Sequence, residues 1–333
     1  MSSGSILAAE PIPNPQPPLL HKIFIGKDGL RAGWSLLIFI AMMAALLFAI
    51  NRIALKIHPR DPNAPKIMTE IPLKMGIIRE TIPFLAVLLV SRIMSKIERR
   101  PNGVYGLGGT RKVAHFFAGL AWGFMFLSLL VLTLRLTGLL VFDGRLLFRG
   151  DILRYGSAWL IAFLMVGLLE EYLTRGYVQF TLTRGLAGIY RWVFKTRHSE
   201  ALGFWTAAVI LSFLFGLGHK SNPGESPIGV LSAGLAAMVF CFSLWRTGSL
   251  WWAIGIHTSW DWSQSFVYGV ADSGLMTQHH LFVTHPAGKV ILSGGATGPE
   301  GSVFVIVVLL LIGVIIWLTL PRTRSVAVGS LSS

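Results

Sequence analysis

Cysteine is nearly absent. Cys241 is the single one in 333 residues, so no disulfide can form within the chain. It lies in an apolar run and reads as a small packing residue. Charge is also scarce: Asp, Glu, Lys and Arg make up 13% of the chain, where an ordinary soluble domain carries about 25%. That shortage excludes a water-soluble globular fold. Acidic residues are the rarer sign, 15 against 29 basic ones, for a net charge of +14. The basic residues lie mostly in short segments between apolar runs. This is the pattern of a protein held against anionic lipid, and it argues against a nucleic-acid partner. The chain opens without a basic n-region, so no signal peptide is expected. Residues 1–31 read as a disordered tail, Ser- and Pro-rich at first and then basic through Lys22, Lys27 and Arg31. No internal repeat and no His-Glu-x-x-His motif is present.

What is abundant is apolar. Hydrophobic residues make up 53% of the chain, and the mean hydropathy is +0.64. A membrane-spanning helix needs about 20 mostly apolar residues. Eight segments qualify as candidates: 32–51, 75–91, 113–134, 156–180, 201–219, 227–245, 249–268 and 301–320. The second and fourth are weaker, because Arg79 and Glu80 interrupt one and Glu170, Glu171 and Arg175 the other. Their charges are expected to face the bundle interior. The fold class is therefore all-α, a polytopic bundle over residues 32–320 with a short tail at 321–333. Alternate connecting segments hold 16 and 10 Lys and Arg residues. This bias puts both termini inside, at the inner membrane of a bacterial cell. The Gly- and His-rich stretch 272–300 is long for a loop and is compatible with an ordered cap, with His279 and His280 at its surface.

Three polar clusters interrupt the apolar segments: Glu170-Glu171-Tyr-Leu-Thr-Arg175, Phe215-Gly-Leu-Gly-His219 and His257-Thr-Ser-Trp-Asp261. An ionisable group in a membrane interior costs roughly 2.5–3.5 kcal/mol or more, so such groups need partners or a task. On a helix, Glu171 shares a face with Arg175, while Glu170 points about 100° away. Glu171 and Arg175 can therefore pair, which leaves Glu170 free to face a cavity as a general base. His257 and Asp261 are one turn apart. Their spacing suits an imidazole–carboxylate hydrogen bond and equally suits two metal ligands. His219 falls at the far end of its span, out of depth with Glu170 unless that helix starts deeper or breaks near Gly216.

The three motifs, in this order and on successive spans, resemble the CPBP family of intramembrane proteases (CAAX proteases and bacteriocin-processing enzymes). Arg175-Gly176 and the Arg246–Trp251 run also look like that family, so the resemblance covers roughly residues 98–268, with a fainter echo at 294–302. It implies that Glu170 and His219 activate a water, that His257 and Asp261 orient substrate or stabilise an oxyanion, and that Glu171, Arg175 and Phe215 shape the site. The last motif ends in Asp261, where Asn is common. The implied activity is hydrolysis of a peptide bond in a membrane-associated or lipidated protein or peptide, in a cavity open to the cytoplasmic leaflet. No cofactor is expected, although Glu170, His219 and His257 could also hold Zn²⁺. The competing readings are a non-catalytic scaffold or immunity-type protein of the same fold, and a transporter or proton relay. The absence of internal repeats disfavours the relay.

Overall fold

The computed structural model describes residues 23–26, 29–57 and 70–321. Most of the tail expected at 1–31, and all but the first residue of the one expected at 321–333, lie outside the described residues. The chain forms helices α1 (Ala32–Ile57), α2 (Leu73–Ile97) and α3 (Lys112–Leu136). A long helical rod follows: α4 (Gly150–Glu171), a π-helical stretch (Tyr172–Val178) and α5 (Gln179–Phe194). Then come α6 (Ser199–His219), α7 (Pro227–Thr247), α8 (Trp251–Trp262) with its own π-helical end (Ser263–Val267), and α9 (Phe304–Thr319).

Among the described residues, α1, α3, the 45-residue rod, α6 and α7 are long and apolar enough to cross a membrane. The three remaining expected spans coincide with shorter or more charged helices. Helix α2 carries Arg79 and Glu80, α8 unwinds at Ser263, and α9 has 16 residues. Side chains such as Leu37, Phe48, Phe213, Leu310 and Trp317 are exposed on the outside of the bundle. In water such a surface would be untenable; in lipid it is the required one. The protein is a helical integral membrane protein.

Local sequence sets several boundaries. Ser226 caps α7, its hydroxyl accepting from the Gly229 amide at 3.0 Å, and Pro227 occupies the first helical position. Gly248 ends α7 in the left-handed conformation at φ 66°. Between α3 and α8 the backbones nearly touch. A Cβ on Gly119 would lie 2.3 Å from the Trp252 carbonyl, and one on Gly255 2.2 Å from that of Phe116. Small residues permit this approach, the usual route to tight helix packing in lipid. It seats α8 against α3, where Trp252 and Ile256 meet Leu127 and Leu130 in a core that α9 completes with Val308 and Ile312.

Hydrogen bonds define two ends. At one, the 104–108 turn meets the α7–α8 connection, with the Leu250 amide donating to Gly106 and the Ser249 hydroxyl to Gly108. A buried Glu98 gathers Tyr177 (3.2 Å) and Arg100 (3.3 Å) there. At the other end, residues 268–303 form an ordered cap. Strand β2 (Leu140–Arg145) pairs antiparallel with β4 (Phe282–Pro286), and β1 (Glu70–Ile71) pairs parallel with β3 (Met276–Thr277). Glu300 pins this cap to α8, accepting from the Trp260 indole at 3.0 Å and from the Ser273 hydroxyl at 3.0 Å.

Candidate active site

Glu170 and Glu171 sit where α4 passes into the π-helical stretch. The wider turn is accompanied by a local capture: the Thr174 hydroxyl donates to the main-chain carbonyl of Glu170. π-bulges of this kind re-aim side chains and recur at functional sites. Glu171 is fully buried, and its Oε1 accepts from Arg175 Nη1 at 2.9 Å. The guanidinium lies over the Phe215 ring at 4.2 Å and nearer the edge of range over Phe240 at 5.6 Å. A delocalised cation between aromatic faces and a carboxylate is an affordable form of buried charge.

The same Glu171 Oε1 also accepts from His257 Nδ1 at 2.9 Å. An ionised carboxylate can only accept, so Nδ1 carries the proton and Nε2 is turned toward the other acids. Asp261 Oδ2 lies 3.4 Å from Nε2 and Glu170 Oε2 3.8 Å. The one-turn spacing of His257 and Asp261 thus gives a longer ion pair, while the short hydrogen bond comes from Glu171 on another helix. Sequence spacing carried no sign of that bond, because the partners are 86 residues apart.

Glu170, His219, His257 and Asp261 all line one cavity of about 400 Å³. Its inner half is apolar, walled by Val166, Ala236, Phe240 and Ile312, and its outer half reaches the cap at Asp272 and Glu300. Helix α6 runs unbroken through Gly216 and Gly218 and has His219 as its last residue. The depth mismatch is met by the cavity, which extends from mid-bundle to the capped end. His219 Nδ1 bonds its own helix at the Phe215 carbonyl, 2.8 Å away, so Nδ1 donates and Nε2 remains an acceptor. Among the described residues, no hydrogen bond or ion pair joins His219 to Glu170; any link between them needs a bridging molecule.

The cap supplies two cavity acids that no motif marks, Asp272 and Glu300. Burial pushes the Asp272 carboxyl well above its ordinary range, and the neighbouring Asp261 and Glu300 push it the same way. Burial also raises Glu225, in the loop after His219, and the hydrogen bond it accepts from the Ser226 amide acts against that. Asp261, Asp272 and Glu300 concentrate carboxyl groups in the capped end of the cavity. His219 has Nδ1 engaged and Nε2 turned to the cavity, the form in which histidine binds a metal, whereas His257 Nε2 faces Asp261 at 3.4 Å. Among the described residues, however, no group of three or more His, Cys, Asp or Glu side chains is placed to hold a metal ion.

A helical membrane bundle with carboxylates and imidazoles gathered in an interior cavity has the groups of a membrane-embedded hydrolase. The family described as type II CAAX prenyl endopeptidase Rce1-like matches residues 153–263, one third of the chain, in agreement with the CPBP resemblance. The match begins in α4 and ends at the π-helical turn after α8, so it contains all three motifs and omits the cap. No curated protein and no solved structure matches the chain.

Proposed function

We propose that the protein is an intramembrane endopeptidase acting on a membrane-associated or lipidated protein or peptide. The observation that carries this reading is the convergence of Glu170, His219, His257 and Asp261 on one cavity, with His257 held by Glu171 at 2.9 Å. A water between Glu170 and His219 gives up a proton to the Glu170 carboxylate while Nε2 of His219 accepts its second hydrogen bond. The hydroxide attacks the peptide carbonyl carbon. His257, cationic and with Nδ1 fixed by Glu171, donates from Nε2 to the oxyanion. Asp261 keeps that imidazole in register. Glu170 then passes its proton to the leaving nitrogen as the C–N bond breaks. The apolar inner half of the cavity suits a lipid anchor or an apolar peptide segment. No step runs through a metal.

The test is cleavage of peptide and membrane-protein libraries by purified protein in lipid. Wild type cleaves with chelator present, and His219→Ala loses about 10²-fold or more in rate, the usual scale for a positioned acid–base group. Rates restored only by added zinc would replace this mechanism with a metal-dependent one. Absence of cleavage by wild type would favour a scaffold of the same fold.

We further propose that both termini face the cytoplasm, in the plasma membrane of a bacterial cell, following the bias of 16 against 10 basic residues. The chain's alternating passes then place the cavity mouth, at His219, Asp272 and Glu300, on the opposite face. This is incompatible with a cavity open to the cytoplasmic leaflet, so the two sequence expectations exclude each other; we retain the charge bias. An impermeant maleimide should label Lys220→Cys in intact cells and leave Arg197→Cys unlabelled, since both positions are exposed and Cys241 is buried. The reverse labelling pattern would invert the topology.

A further inference from the structure

Beyond Glu171 and Arg175, the rod continues a polar stripe that the proposed chemistry does not use. Glu171, Arg175, Gln179 and Thr183 recur every four residues, and all are buried, at 0%, 3%, 1% and 1% exposure. The stripe leads from the reaction cavity toward the uncapped end. Gln179 Oε1 accepts from the Cys241 thiol at 3.1 Å. Four other polar atoms on the stripe have no partner: Glu171 Oε2 and, further toward the uncapped end, Arg175 Nη2, Gln179 Nε2 and Thr183 Oγ1.

Arg175, Gln179 and Thr183 form the polar wall of a second, partly open chamber of about 60 Å³, lined elsewhere by Tyr105, Phe180, Phe204 and Leu244. It shares no lining residue with the reaction cavity. Orphaned buried donors are costly, and a polar chamber of this size is where proteins keep internal water. One water occupies about 30 Å³ of liquid and needs two to four polar partners, so the chamber holds one or two. An anion is a poorer fit, because Arg175 is already neutralised by Glu171 at 2.9 Å.

We propose that this chamber is a buried water site, and that its water fixes the Arg175 guanidinium from the side opposite Glu171. Thr183 and Gln179 are then positioning residues. They hold the water, the water holds Arg175, and Arg175 holds the Glu171 oxygen that orients His257. The effect on catalysis rests on the proteolytic reading above; the water site does not.

Brief X-ray radiolysis of the protein in lipid, in ¹⁸O-labelled water, tests both parts. Hydroxyl radicals form at bound water, so Tyr105 and Phe204 should take up the label although they are 1% and 4% exposed. Thr183→Val keeps the side-chain shape and removes the hydroxyl. It should lower that labelling severalfold and lower kcat about fivefold, the scale of one hydrogen bond, with KM little changed. Thr183→Ser should recover both signals relative to Thr183→Val. Unlabelled Tyr105 and Phe204 in wild type would refute the water site, whether or not the variants fold and whether or not the protein cleaves anything. Equal labelling in wild type and Thr183→Val would refute Thr183 as its holder. Reduced labelling with unchanged kcat would refute the positioning role.

Discussion

Glu170→Gln should leave a folded, membrane-inserted protein that no longer cleaves. Removing a positioned general base typically costs 10²–10⁴-fold in rate, and kcat should fall by about that much. The fold should tolerate the change. The Glu170 side chain is 30% exposed, and its ion pair with His257 is long at 3.8 Å. The hydroxyl of Thr174 reaches its main-chain carbonyl, which glutamine retains. The stability change should stay within about 0.5–1 kcal/mol, as for substitutions that leave no buried group unpaired. Single-turnover cleavage and a thermal melt on the same preparation separate the two effects. Wild-type rates in the variant would remove Glu170 from the base role, and the water would then need activation by His219 alone.

Glu171→Gln should do the opposite, striking the fold first. Glu171 has no exposed side-chain surface, and its Oε1 serves both Arg175 and His257. Glutamine removes the counter-charge and leaves a guanidinium buried between Phe215 and Phe240. Breaking one half of a buried ion pair costs about 3–5 kcal/mol, enough to deplete folded protein in a marginally stable domain. Purified yield and melting temperature should both drop, and the surviving fraction should cleave poorly because His257 loses its anchor. The double variant Glu171→Gln/Arg175→Met supplies the control. With both charges gone, yield should return toward wild type while activity stays low. Activity returning together with yield would show that Glu171 serves the fold alone and has no hold on His257.

The two carboxylates differ in surroundings because of angle, and that much was legible from their adjacency. Glu171 and Arg175 share a face and pair, while Glu170 turns into the cavity. The bundle itself was legible from apolar runs between short basic segments, since only helices can satisfy backbone groups in lipid across such lengths. Span counting was less secure for α2, α8 and α9. Charge, a π-helical end or short length weakens a signal that rests on uninterrupted hydropathy. The stretch 272–300 gave only its length and glycine content, and neither says which residues turn inward. That Asp272 and Glu300 enter the cavity follows from pairing with Ile71 and with strand Leu140–Arg145, far away in the chain.

By itself, then, the sequence determined a helical membrane protein with ionisable groups on three of its spans, because hydropathy and helical periodicity are local properties. The tertiary structure alone decided that His257 leans on Glu171 more closely than on Asp261, that His219 reaches the cavity from a helix end, and which end of the bundle the cavity meets. Those outcomes depend on how deeply neighbouring helices sit relative to one another. Contacts such as Gly119 against Trp252 set that depth, through side-chain shapes that meet only after the chain has folded.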